Sequence, residues 1–523
     1  MNESWHAYLR EGCLVFQRFP EIHLAILAAL LAYLLRCTTR RGSKVVVNWP
    51  VVGMLPTIIA NNHHLLDHVT SMFQEFGNTF MFKGPWFCGM DSLLTCSPDN
   101  ANHMFNVHFS DYPKGEEFIE IFDVFGDGIL NVNGDLWKDR RRMVQAHVNA
   151  PRFRSSVGEL TLKKVVKVLL PLLNKMAECD KVVNLSDVSM RLIFDTICDL
   201  AMGVDPGYLA SDFPSIPFAM ALDQIEQVLL FRHIVPRFWW KLLRKLRLGK
   251  EKKMAEAMEV IDRFVDKCIR DKREREKIGD SQSRTKEERT DVITSFINHS
   301  DDKFLRDTSL TFLAAGNGTT GAALIWLFWL VTSNPDVEKK MLEELRKLRP
   351  SSKVNDDEND EMTVFKAAEI EALVYLQAVV CETLRLYPSL PFNHKVAKRD
   401  DILPSGHKVQ AGTKIIFSMY SMGRREEIWG KDCLEFKPER WITEKGTLRL
   451  EPSYKFIAFH SGARSCLGKN MAITQIKLIA AAVIYNFNVQ VVEGHAVDPK
   501  IAIIIQVNNG LQVKLKRRSR NTD

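Results

Sequence analysis

The residues best suited to chemistry lie near the C-terminus, in the segment FHSGARSCLG that runs from Phe459 to Gly468. A lone cysteine followed by a helical apolar pattern puts its sulfur at a helix N-terminus, where backbone N–H groups and the helix dipole favour the thiolate. A thiolate is what iron needs. Gly462 and Gly468 leave room for backbone to approach a flat ligand, Phe459 can cover the sulfur side, and Arg464 offers a guanidinium fork to a carboxylate. Five such positions coincide by chance with odds of roughly 10⁻⁴ at average residue usage, which leaves little room for an inert buried Cys466.

Three other groups stand in a telling order. Glu382 and Arg385 are three apart in a helical pattern, followed by Pro438, Glu439, Arg440 and Trp441. Alone, such a Glu–Arg pair is a surface ion pair worth a few tenths of a kcal/mol. Trp137 and Arg141 are one helical turn apart, as a half-buried Trp beside a basic surface run would also be. In AGNGTT, from Ala315 to Thr320, Gly316 and Gly318 interrupt a long apolar helical pattern. Each glycine costs about 1 kcal/mol relative to Ala, which makes sense where a helix opens a groove. The Thr319 hydroxyl would otherwise simply bond back to a helix carbonyl.

The cysteine segment resembles the haem-binding signature Phe-x-x-Gly-x-Arg-x-Cys-x-Gly of the cytochrome P-450 superfamily. Glu382 and Arg385 match its Glu-x-x-Arg, residues 438–441 resemble its Pro-Glu-Arg-Phe, Trp137 and Arg141 match its Trp-x-x-x-Arg, and 315–320 resembles its oxygen-activating helix. The resemblance implies haem b with Cys466 as axial ligand, Trp137 and Arg141 at a haem propionate, and a buried triad of Glu382, Arg385 and Arg440. It also implies that Thr319 holds dioxygen in a hydrogen-bond network. One position departs from the pattern: Gly318 stands where the family has an acid that relays protons. Asn317 does not titrate and cannot take over, so protons must come by water or another group, or matter less to this reaction.

Over nearly its whole length the chain is similar to the ninety-six family of the plant clan that oxidises fatty acids and alkanes, through pieces such as NWPVVGMLP, FMFKGPWF, YPKGEEF, DGILNVNGDLWK and WGKDCLEFKPERWI. That family includes mid-chain alkane hydroxylases, and a side branch couples phenol rings in norbelladine-type alkaloids. The implied reaction is hydroxylation of a long-chain alkane or fatty acid. The alternative is carbon–carbon phenol coupling without oxygen insertion, towards which Gly318 tilts the reading. A third possibility, a haem sensor or electron carrier without turnover, predicts no NADPH consumption. Family membership does not fix the substrate.

By position, the resemblance places Phe118, Ile121, Phe122 and Phe125, Phe312 and Leu313, Leu390 and Phe392, and Ile503 and Ile504 around the substrate. All are apolar, and ordinary core packing would use the same residue types. Electrons would come from NADPH through a cytochrome P-450 reductase docked on the basic run 138–142.

These groups need a scaffold, and the composition allows one. A chain of 523 residues with 46% hydrophobic and 26% charged residues can bury a large core. Its net charge of +7 is small for its size, and no nucleic-acid motif is present. The ten cysteines contain no Cys-x-x-Cys pair, which argues for reduced thiols facing the cytosol. Apolar spacing and end signals predict helices over 135–150, 154–176, 186–202, 249–276, 303–332, 335–348, 366–386 and 468–483. Strands are predicted at 408–419, 488–492 and 501–515, and a charged, exposed linker at 271–290. The expected fold is mainly α with small β-sheets.

Residues 1–45 read as an N-terminal membrane anchor. The run 22–35 is apolar apart from His23, and Arg36, Arg40, Arg41 and Lys44 follow it. Fourteen helical residues reach about 21 Å, short of the ~30 Å hydrocarbon core, so the helix must extend towards Leu14 or sit partly in the interface. The basic flank places the catalytic domain, 57–523, on the cytoplasmic side of a single-pass segment, and the family resemblance implies that the membrane is that of the endoplasmic reticulum. Residues 46–56, with Pro50, Gly53 and Pro56, form a stiff hinge between the two. The segment IVPRFWWKLLRKLRLG, residues 234–249, pairs Phe238, Trp239 and Trp240 with Arg244, Lys245 and Arg247, and can dip into the membrane face or lie as a basic surface helix.

Overall fold

Helix Asp302–Thr332 runs through the middle of the molecule and is buried along most of its length. It starts where the Asp301 side chain accepts a hydrogen bond from the Phe304 N–H at 2.7 Å, and ends before Pro335, which opens helix Pro335–Lys347. Among the described residues it is the one helix long and apolar enough to cross a bilayer. Its most apolar window is 72% buried within the fold, so it serves as the core helix. The structure, a computed structural model, describes residues 45–210, 213–278, 291–348, 352–353, 362–500 and 502–518. The predicted anchor therefore lies outside the described residues, except for Val45.

Helices Leu185–Met202, Gly249–Ile278, Val374–Leu386 and Lys469–Asn486 pack against this core helix. Close approach needs its glycines: a Cβ on Gly316 would meet Ile197 Cδ1 at 2.7 Å, and one on Gly321 would overlap the Met190 sulfur. The β structure is minor, as expected. A four-stranded sheet runs in the order Thr79–Phe82, Ser92–Thr95, Lys414–Ser418, Phe392–Val396, parallel only at its centre, where Leu94 faces Ile416. Phe487–Val491, Gln512–Arg517 and Val183–Asn184 make a second, antiparallel sheet.

Most predicted helices appear within a few residues of their expected bounds, and the departures have local causes. The stretch 154–176 begins earlier, at Pro151, and is divided by a π turn at Val165–Leu169. Pro171 follows that turn, and its missing N–H and bulky ring require the wider backbone. The predicted helix 366–386 is two, Ala367–Glu371 and Val374–Leu386, because the Glu344 carboxylate accepts from the Tyr375 and Leu376 N–H groups at 2.7 and 2.9 Å and starts a new helix there. Strand 408–419 breaks at Gly412, whose φ is +86°, and strand 501–515 breaks at Asn509 and Gly510, both at positive φ, where the chain turns from one sheet to another.

The predicted linker 271–290 is helical up to Ile278. There Arg273 bonds Asp302 and the carbonyls of Ile297 and Ser300, and Lys272 bonds Asp291 at 2.6 Å; the remainder lies outside the described residues. Helices Leu65–Phe76 and Pro217–Ile234 were not anticipated. Residues 46–56 are tied to the body. The Met54 N–H donates to the Lys83 carbonyl at 2.8 Å, Gly53 packs on the Lys83 and Gly84 backbone, and Pro56 already belongs to helix Leu55–Ala60.

Candidate active site

A cavity of about 910 Å³ lies between the Cys466 loop and the core helix. Cys466 lies deep in the fold, and its accessible surface is turned to this cavity. Its N–H donates to the Phe459 carbonyl at 2.8 Å, which curls the loop so that the N–H groups of Gly468 and Lys469 bond the sulfur. Burial pushes the thiol above its ordinary value. Those N–H groups, together with the charges of Arg141 and Lys469, pull it back. Gly462 has a different reason for being glycine than the one its spacing suggested. Its φ is +70° and a Cβ there would strike the Phe105 carbonyl, so it makes way for protein backbone. Gly468 faces only ordinary contacts, from Met471 and Cys466.

The opposite wall is Gly316–Thr320. Thr319 donates its hydroxyl to the Ala315 carbonyl at 2.6 Å, and its own carbonyl accepts from Ser389 Oγ at 2.7 Å. Thr320 is buried with no partner for its hydroxyl, and Asn317 Oδ1 is likewise unpartnered. Beside Gly318, where a carboxylate was missing from the motif, the side chain of Ile504 fills the space.

Four cations gather at one end of the cavity. Arg141 bonds the Ser465 carbonyl at 2.8 Å. Arg464 bonds the Val132 carbonyl and Asn133 Oδ1 at 2.9 and 2.8 Å and lies 4.5 Å from the centre of the Trp137 ring. Lys114 bonds the Leu130 carbonyl, and Lys395 lies 5.5 Å from the Phe105 ring. None of the four pairs with a carboxylate among the described residues. Burial, then repulsion from Arg464, holds Lys395 down to about 7, and burial with Arg141 holds Arg464 down to about 10. Lys114 is depressed well below the lysine range by burial and by the charges of Arg464 and Lys395. Such a cluster is costly unless anions join it, and the two carboxylates of haem supply the fitting charge. With a thiol on one face and a glycine-opened helix on the other, these residues fit that group.

Sequence reasoning missed Lys114 and Lys395. Lys114 sits in a loop and Lys395 in strand Phe392–Val396, and a lysine in a loop or strand reads as surface until the fold buries it. The predicted triad does assemble. Arg385 grips Glu382 through two bonds of 2.7 and 2.8 Å, and Arg440 Nε reaches the same carboxylate at 3.4 Å. Arg385 also bonds the carbonyls of Cys433 and Glu435, which pins the segment leading to Arg440. Trp441, where the motif has Phe, donates its indole N–H to Glu382 at 2.8 Å, a bond Phe cannot make.

Phe118, Phe122, Phe125, Phe312, Leu313, Leu390, Phe392, Ile503 and Ile504 all border the cavity. Ile121 does not; it is turned into the core instead. Helix Arg237–Leu246 meets the cavity through Arg237 and is tied by Arg237 and Lys241 to Glu120 and by Arg244 to Asp123. It buries Trp240 and leaves Phe238, Trp239, Leu242 and Leu246 exposed. In the basic run, Lys138 and Arg142 are exposed and paired with Asp135 and Asp139, whereas Arg140 lies over the Phe304 ring.

The sequence profile of the family described as Cytochrome P450 matches residues 44–515. Noroxomaritidine synthase 2 of Narcissus aff. pseudonarcissus MK-2014 is 44% identical over 96% of this chain and 97% of its own length. Cytochrome P450 86B1 of Arabidopsis thaliana is 38% identical over 95% and 90%, and alkane hydroxylase MAH1 of the same plant 37% identical over 94% and 97%. With the thiol, the cation cluster and the glycine-opened helix on one cavity, this chain belongs to the cytochrome P450 family and is a haem-thiolate monooxygenase.

Proposed function

We propose that this chain hydroxylates a hydrophobic long-chain aliphatic substrate, an alkane or fatty acid, held against Gly316–Thr320. The apolar lining from Phe118 to Ile504 carries this reading. Haem, when bound, supplies the oxidant that removes hydrogen from the substrate. The chain's own residues do the rest. Cys466 provides the thiolate, held by the N–H groups of Gly468 and Lys469. Trp137, Arg141 and Arg464, joined by Lys114 and Lys395, would hold haem's carboxylates. Glu382, Arg385 and Arg440 fix the backbone from Trp429 to Lys437. Thr319 already donates its hydroxyl hydrogen bond to the Ala315 carbonyl, so its oxygen is free to accept a hydrogen bond in the cavity.

A second reading, oxidative coupling of a phenolic alkaloid precursor, is favoured by Gly318. No titratable side chain stands there, and Ile504 fills the space. The relatives named as noroxomaritidine synthases support it as well. Residues 57–523 form the catalytic domain, joined through 46–56 to a membrane anchor at 1–45 in the endoplasmic reticulum. The exposed Phe238, Trp239, Leu242 and Leu246 rest on the same membrane face. A reductase carrying electrons from NADPH docks at Lys138 and Arg142.

Turnover in microsomes with reductase, NADPH and ¹⁸O₂ tests both readings. An alkane or fatty acid product with one labelled oxygen supports the first. A phenolic product lighter by two hydrogens and free of label replaces it with the second.

A further inference from the structure

A run of oxidisable rings leads away from the cavity. Trp326 lies on the core helix seven residues beyond Thr319, which puts it on the same helix face about 10 Å further along. Its indole is fully buried, and its N–H donates to the carbonyl of Ile505 at 3.4 Å, next to the cavity residue Ile504. The Tyr387 ring stacks flat on it, with ring centres 3.9 Å apart and planes 7° from parallel. The Tyr420 ring follows at 6.2 Å from Tyr387, and its hydroxyl donates to the Asp67 carboxylate at 2.8 Å. Asp67 is exposed, on helix Leu65–Phe76. Four side chains therefore connect the core helix to solvent, and each link is a ring contact or a hydrogen bond.

Packing alone does not call for these residue types. Phe fills such spaces elsewhere, as in the stack of Phe118 on Phe122 beside the cavity, but it does not readily give up an electron. Trp137, the indole that borders the cavity, has Phe109 as its ring neighbour and the Arg464 guanidinium 4.5 Å from its centre. A hole placed there meets a cation and, among the described residues, has no oxidisable ring to move to.

The charges along the run decide how an electron must leave it. The Arg424 guanidinium lies 4.8 Å from the centre of the Tyr387 ring and 3.5 Å from that of Tyr420. It repels a positive hole on either ring unless a phenolic proton departs with the electron. Burial pushes the Tyr420 phenol up, so it is protonated at rest, and Asp67 is placed to take that proton.

We propose that Trp326, Tyr387 and Tyr420 form a one-electron path that drains the haem oxidant to the surface when no substrate hydrogen is within reach, giving the enzyme a second activity, oxidation of a small ene-diol reductant near Asp67. In each passage Tyr420 loses one electron, relayed inward through Tyr387 and Trp326, and its phenolic proton goes to Asp67. The reductant returns one electron to the tyrosyl radical, and Asp67 returns the proton. Two passages deliver two electrons. Two reductant molecules release two protons to solvent and two enter at the cavity, so the unused oxygen atom leaves as water. This activity is the same whether the substrate is an alkyl chain or a phenol.

The test mixes the full-length, haem-loaded, substrate-free protein in lipid nanodiscs with m-chloroperbenzoate, freezes it rapidly and reads electron paramagnetic resonance, with natural and with ring-deuterated tyrosine. Wild type should give a tyrosyl signal that narrows on deuteration, and ascorbate should quench it as ascorbyl radical forms. Tyr420→Phe keeps the ring and loses the proton; it should lower the tyrosyl and ascorbyl yields several-fold and speed bleaching of the haem absorbance. Asp67→Asn keeps an acceptor oxygen at an exposed position but cannot take a proton, so it should slow radical formation, as should D₂O in wild type. Equal tyrosyl and ascorbyl yields in wild type and Tyr420→Phe overturn the path. Should that variant not fold, radical formation unchanged by both Asp67→Asn and D₂O overturns it instead.

Discussion

The side chain of Ile504 occupies the space that a Cβ on Gly318 would need. The missing acid of the oxygen-activating helix and the apolar hairpin residue are therefore one structural arrangement. A carboxylate at 318 has to displace Ile504, whose N–H also holds Glu226.

Gly318→Asp should therefore do two things together. It restores a titratable group beside Thr319 and pushes Ile504 towards the substrate. We expect a larger share of NADPH spent on labelled hydroxylation or on hydrogen peroxide. An unchanged product and peroxide ratio would show that proton supply at 318 is irrelevant to this enzyme.

Cys466→His and Cys466→Ala should each abolish the thiolate-type carbon monoxide spectrum of the reduced protein. Survival of that spectrum in either variant would move the axial ligand to another residue.

Much of this was legible in the sequence, because it is local. The cysteine loop, the Glu382–Arg385 turn and the glycines of the core helix each fall within a few residues. What escaped was assembled by the fold. Lys114 and Lys395 meet only through burial, and Asp223 and Glu226 lie on Pro217–Ile234, a helix apolar on several faces with no clear stripe to mark its inner side. Leu65–Phe76 is another matter: Leu66, Val69, Met72 and Phe73 point inward at helical spacing, a signal that was present in the sequence.

Trp441→Phe removes one donor from a fully buried carboxylate while keeping an aromatic ring against Phe456. The cost should be about 1–3 kcal/mol, read as a lower midpoint in thermal or denaturant unfolding. An unchanged midpoint would mean that Arg385, Arg440 and the Lys437 N–H satisfy Glu382 without it.

Asp223 and Glu226 also give stability a pH slope. Their folded values, about 6 and about 7, lie above the unfolded values of 3.8 and 4.5. Between those limits the folded chain holds more protons than the unfolded one, so their contribution is fully present below about pH 4 and is lost as pH rises through 6 to 7. Melting temperature across pH 4–8 should show a gentler decline in the Asp223→Asn, Glu226→Gln double variant than in wild type. Parallel curves would contradict the assignment.

Charge reversal at Lys138 and Arg142 should slow reductase-driven reduction, most at low ionic strength, and leave chemical reduction by dithionite unaffected. Arg140 is left in place because it packs on Phe304. Equal flavoprotein-driven rates in wild type and variant would move the docking site elsewhere.

The cation cluster of Lys114, Arg141, Lys395 and Arg464 has a consequence for the life of the protein in its cell. Four basic groups drawn together without a counter-charge, with both lysines pushed towards neutrality, oppose collapse of the empty chain, whereas the prosthetic group's two carboxylates turn the same residues into an attraction. Ligand binding and folding are therefore thermodynamically linked at this point. The amount of intact enzyme should follow porphyrin supply, and newly made polypeptide that outruns that supply should go to the proteases.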